Sequence, residues 1–143
     1  MGEIVKLTSS IVLEALLILS PLSGGAAALA VAPQPVARLK ALASVEPGRW
    51  QLKPYDGVGP ARSICIAEAA SLLQVQHPGS NCTRFVIDDQ PASATVHYTC
   101  PGNGHGRTTI KVETSRLLDI SSQGISANAP FNMRYEARRV GAC

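Results

Sequence analysis

Three histidines, four cysteines and one adjacent pair of aspartates are the side chains with which this chain of 143 residues could do chemistry. His77, His97 and His105 lie twenty and eight residues apart. Zinc sites draw their ligands from close spacings on a turn or helix, or from thiolates, so this spacing points to exposed histidines and no metal. Asp88-Asp89 would be a carboxylate pair for acid–base work, but adjacent turn residues point apart and more often bond their own backbone. A catalytic serine or thiol needs a base and an orienting acid beside it. Serines are plentiful, no G-x-S-x-G elbow is present, and all four cysteines are assigned to bridges. No catalytic residue is assigned, and the chain is not expected to be an enzyme.

The run Pro101–Thr108, PGNGHGRT, superficially suggests a phosphate cradle. The Walker spacing is absent, arginine stands where lysine is needed, and a strand follows instead of a helix. It reads as a hairpin turn whose glycines supply positive φ, and no cofactor is expected. Recognition of a partner falls instead to Trp50, Tyr55, Arg134 and Arg138. Trp50 reads first as a core plug under a sheet and second as a ligand platform. Arg134 and Arg138 share the polar face of one strand, about 13 Å apart. Glu136 between them gives a surface charge ladder as the plain reading and partner recognition as the sharper one.

Composition sets the frame. The length suits one domain. Aromatics are only 4%, which argues against a base-stacking platform for nucleic acid. The net charge is +3, and it becomes +4 from Pro33 onward, where twelve Lys/Arg face eight Asp/Glu without any block. That is a mildly basic, solvated surface, with no footprint for nucleic acid or an anionic membrane.

The elements that must position these residues follow along the chain. Residues 1–32 read as an export signal: Lys6, an apolar run from Ile11 to Leu22, and Ala30-Val31-Ala32 as the small-x-small cleavage site. Glu14 and the breakers Pro21, Gly24 and Gly25 disfavour a lasting membrane span. Residues 33–46 form a leader in which Val36, Leu39, Leu42 and Ala43 have helical spacing. Residues 47–143 then read as one mainly β domain of about seven short strands in sequential antiparallel order, a curved meander or half-barrel. Ala67–Val75 is Ala/Leu-rich and reads as a short helix insertion.

Four cysteines in a small, exported chain favour two disulfides. Side chains alternate faces along a strand, which constrains the pairing. Taking Phe85 and Ile87 as the inner face of their strand puts Cys82 on the outer face with Cys65. Extending the strand from Phe131, Met133 and Tyr135 without a bulge puts Cys143 on the inner face with Cys100. Parity therefore favours Cys65–Cys82 with Cys100–Cys143, and Cys82–Cys100 straight across the hairpin is the alternative. Trp50 and Tyr98 are expected to plug one core.

With these pieces placed, the chain resembles the domain-of-unknown-function family numbered 3617, small exported four-cysteine proteins of Gram-negative bacteria. The shared marks are Pro47-Gly48-x-Trp50, then Ser63-Ile64-Cys65-Ile66 before a short helix, and Cys82 at a strand start. Cys100-Pro101-Gly102 and Arg138-Arg139-Val140-Gly141-Ala142-Cys143 complete the series. The resemblance implies a periplasmic or secreted protein and brings no activity with it. Two roles are open: an interaction module for an envelope protein or surface polymer, and a carrier of a small apolar ligand on the concave face. A cavity lined by Ile64, Phe85, Val96, Tyr98 and Met133 would favour the carrier, and a solid core the module.

Overall fold

The computed structural model describes residues 39–143. The export signal and the first part of the leader lie outside the described residues. Seven strands form: β1 (Gly48–Pro54), β2 (Arg62–Ile66), β3 (Thr83–Gln90), β4 (Ser93–Cys100), β5 (Gly104–Thr114), β6 (Leu117–Ser126) and β7 (Ala129–Gly141). They make one open antiparallel sheet in the order β2-β1-β7-β6-β5-β4-β3. The order is not the sequential one expected. Strands joined by short turns pair as neighbours, and the one long connection, residues 67–82, is where adjacency breaks. β7 pairs with β1 instead, so β2 and β3 become the two edges.

Much of the inner face is apolar and closed. Trp50, Leu52, Val96, Ile110, Leu118, Ile120 and Ala137 are all inaccessible to solvent. Two short segments cover them. The leader supplies Leu39, Ala41, Leu42 and Val45, so the packed unit includes Leu39–Glu46, with a single 3-10 turn at Lys40–Leu42 where the spacing suggested a turn or two of amphipathic helix. Asp89 holds that turn in place by accepting the Lys40 N–H at 2.9 Å. The insertion supplies Ala70, Leu72, Leu73 and Val75. It is a 3-10 helix at Ala69–Gln74, shorter than the expected Ala67–Val75. A segment this short does not recover the cost of α-helix nucleation on its own. Burying Leu72, Leu73 and Gln74 in succession suits a tight connector better than a one-sided helical stripe. Burying each leucine stabilises the fold by roughly 1.5–3 kcal/mol.

Strand β3 corrects the expected disulfides. Phe85 and Ile87 point outward, 63% and 44% exposed, and Arg84 and Val86 take the inner face. The turn is Pro91-Ala92, with Gln90 opposite Ser93, so Asp88 and Asp89 lie in the strand. Cys82 therefore shares its face with Arg84 and meets the buried Cys100 directly, with Cα atoms 4.1 Å apart. At the other end the β1–β7 register slips between Arg49 and Trp50, leaving Val140 as a bulge. The slip flips the parity of everything after it. Gly141 comes opposite Arg49, and Cys143 reaches Cys65 on the outer face, with Cα atoms 5.8 Å apart. The bridges are Cys65–Cys143 and Cys82–Cys100, in place of Cys65–Cys82 and Cys100–Cys143.

Candidate functional site

The outer face of the sheet brings together residues that are far apart in sequence. β1 ends at Pro54, and the Tyr55 N–H continues its pairing by donating to the Arg134 carbonyl at 3.0 Å. That bond sets Tyr55 beside Arg134. The Arg134 guanidinium lies over the Tyr55 ring, 4.5 Å from its centroid, in cation–π contact. On the neighbouring strand, Asp119 completes the group. The Tyr55 hydroxyl donates to Asp119 Oδ1 at 2.8 Å, and Arg134 Nη2 lies 3.8 Å from Asp119 Oδ2. Thr109, Lys111 and Ser121 join Asp119 and Arg134 in lining a depression of about 340 Å³.

The hydrogen bond to Asp119 is the main cause that raises the Tyr55 hydroxyl above its ordinary value. The group presents one carboxylate, two cations, three hydroxyls and an aromatic ring on the sheet. Such a surface matches hydrogen-bonding groups on a partner.

The four expected contact residues thus divide. Tyr55 and Arg134 meet in one cluster. Arg138 stands apart, 3.5 Å from Glu136, as the surface ladder its spacing suggested. Trp50 is wholly buried, with its indole N–H donating to the Glu46 carbonyl at 3.1 Å, so it serves the core and offers no ligand platform. Asp119, Lys111, Thr109 and Ser121 are the members missed in the sequence. Their signal was the alternation of Asp119 and Ser121 against Leu118 and Ile120, which marks them as outward-facing. What they face depends on strand pairing.

A second polar group lies inside. His77, expected at the surface, is buried. Its Nε2 is 3.1 Å from the Asn103 carbonyl, which can only accept, so Nε2 carries the proton. Nδ1 then accepts from the Tyr98 hydroxyl at 3.1 Å. Tyr98 is as fully buried as Trp50 but lies outside the apolar cluster that holds Trp50, which corrects the expectation of one shared plug. The Thr108 and Ser122 hydroxyls are buried and bonded to each other at 2.8 Å. Gly106 makes room for this arrangement, because a Cβ there would come within 2.5 Å of the Tyr98 hydroxyl. Gly102 and Gly104 hold the adjoining turn at φ +77° and +117°, as the glycine-rich run suggested.

No curated protein and no solved structure matches the chain. Residues 45–143, well over half of its length, match the model of the family described as Protein of unknown function (DUF3617), and the chain belongs to that family.

Proposed function

We propose that this protein is exported to the bacterial envelope, periplasmic or secreted, and acts there as a non-enzymatic interaction module. Its binding surface is the polar outer face of the sheet, and its partner is an envelope protein or surface polymer. The observation that carries this reading is the Tyr55–Arg134–Asp119 cluster. It is an exposed aromatic and cation held in one geometry by a carboxylate, beside Lys111. The two disulfides support the compartment, because such bridges persist outside the reducing cytosol. No helix among the described residues is long and apolar enough to cross a membrane.

The inner face gives no support to the carrier. Val96 and Tyr98 are fully buried, and Phe85 points out through the opposite face, so the five residues of the expected cavity do not share a space. Native mass spectrometry of protein recovered from its own periplasm tests the proposal. The wild type, expected to start at Pro33 after processing, should carry a partner that Arg134→Glu loses while both disulfides stay intact. A partner retained by Arg134→Glu, or a small apolar molecule in its place, would overturn it.

A further inference from the structure

The hairpin of β4 and β5 brings together two histidines that are eight residues apart in sequence. Their strands pair with His97 opposite Arg107 and Thr99 opposite His105, so the two imidazoles are diagonal neighbours on the outer face. Their ring centroids are 5.8 Å apart and their planes are inclined by 36°. Among the described residues neither ring is hydrogen-bonded or in an ion pair, in contrast to the buried His77. Both are free to turn a nitrogen lone pair toward a shared ligand.

We propose that His97 and His105 form a surface site for a divalent transition-metal ion of the kind imidazole prefers, with zinc as its simplest occupant. The spacing is the argument. An imidazole nitrogen lies about 1.1 Å from the ring centre and about 2.1 Å from a bound zinc, which puts each centroid about 3.2 Å from the ion. Two rings so placed have centroids about 5.8 Å apart at an N–Zn–N angle of about 130°, and about 5.2 Å apart at the tetrahedral angle. The observed separation falls at the open end of that range, so closing the angle takes only a small rotation of the half-buried His97 and the exposed His105.

The rest of the surroundings define what kind of site this is. No group of three His, Cys, Asp or Glu that could hold a metal occurs among the described residues, so the protein supplies two ligands. The remaining positions go to water or to a ligand from outside, as in open zinc sites. On the same face Thr99 and Arg107 are the direct cross-strand neighbours on β4 and β5, and Phe85 on β3 stands opposite His97. Arg107 is the cation beside the pair, and its charge works against the metal. The site therefore binds in an exchangeable way and is tuned by Arg107.

Zinc titration by calorimetry on the untagged, disulfide-bonded protein tests this. The wild type should take one ion per chain. His97→Gln and His105→Gln should each weaken binding at least tenfold, and Arg107→Gln should tighten it about threefold to tenfold at low salt. NMR provides a second readout that does not depend on the variants. Zinc should shift the imidazole signals of His97 and His105 and leave those of His77 in place. Absence of binding at millimolar zinc would overturn the proposal, as would an isotherm unchanged in both glutamine variants or a shift confined to His77.

Discussion

The two free edges of the sheet are finished with the same three kinds of side chain, used differently. At the β2 edge Arg62 turns inward, Cys65 bridges outward, and the neighbouring β1 carries the buried Trp50. At the β3 edge Arg84 turns inward, Cys82 bridges on the inner side, and the neighbouring β4 carries the buried Tyr98. Inward-pointing charge on an edge strand discourages pairing with another chain. Here it also joins the edges to one another. Arg62 Nη2 donates to the Val75 carbonyl at 3.1 Å, with its guanidinium 5.3 Å from the Tyr135 ring centroid. Arg84 Nη2 donates to Gln74 Oε1. Opposite edges thus grip adjacent residues of the insertion, and side chains close what the sheet leaves open.

The arginines do this at a cost. Each leaves a buried Nε without a partner, a penalty of about 1–3 kcal/mol per group. Burial pushes the Arg84 guanidinium below its ordinary value, with Glu68 acting in the opposite direction. The difference between the edges lies in what packs beneath them. Under β1 the aromatic sits in an apolar cluster, and under β4 the aromatic hydroxyl is satisfied by His77. An apolar plug resists truncation through its volume. A polar one depends on every hydrogen bond being made.

The largest expected effect tests the first half of that contrast. Trp50→Ala should cost roughly 3–5 kcal/mol in urea unfolding, the usual penalty for emptying a large buried site. A loss under about 1 kcal/mol would mean that Trp50 is not a core residue, and the contrast would fail.

The two staples come next. The bridges enclose sequence separations of 78 and 18 residues. Loop-closure entropy makes them worth about 4.5 and about 3.2 kcal/mol, so the Cys65→Ser/Cys143→Ser double variant should lose about 1.3 kcal/mol more than Cys82→Ser/Cys100→Ser. Cys65 and Cys143 are exposed, whereas Cys100 is buried, so mild reductant should open Cys65–Cys143 first. Peptide mapping without reduction checks the pairing itself. Cleavage after Glu68, Arg84, Arg107 and Arg139 places each cysteine on its own peptide. A linked Cys65–Cys82 pair would restore the parity argument and refute the bulge at Val140.

The smallest effect sharpens the second half. Tyr98→Phe leaves His77 Nδ1 without its donor and should cost about 1–3 kcal/mol near neutral pH. Burial raises the Tyr98 hydroxyl above its ordinary value, with the Ser122 hydrogen bond acting the other way. The folded state therefore holds this proton more tightly than the unfolded chain. Its contribution is complete below about pH 10 and is lost as pH rises from there through the raised folded value. The stability gap between wild type and Tyr98→Phe should narrow above about pH 10. A gap that stays constant across that range would mean Tyr98 ionises as it does in the unfolded chain.

How much of this was legible in the sequence depends on how far each property reaches along the chain. Strand character is local. The alternation in Thr95–Cys100 and Phe131–Ala137 appears in β4 and β7 with the inner and outer faces that the pattern assigned. The glycine turn after Cys100 is local too, because positive φ at Gly102 and Gly104 needs no distant partner. The presence of two bridges followed from cysteine number and the signs of export.

Which face of a strand is dry is a tertiary property wherever the strand lies at an edge. In β3 the outward face carries Phe85 and Ile87 because the inner slot is taken by Arg84 reaching Gln74, a contact set by the insertion that packs there. The bulge at Val140 has the same character. One extra residue moves every later side chain to the opposite face, and no proline marks the spot in the sequence. Those two shifts decided the disulfide partners. Strand order, set by β7 pairing with β1, brought Tyr55 to Arg134 and Asp119. Periodicity tells which residues share a face of one strand, and only the pairing of strands tells what lies beside them.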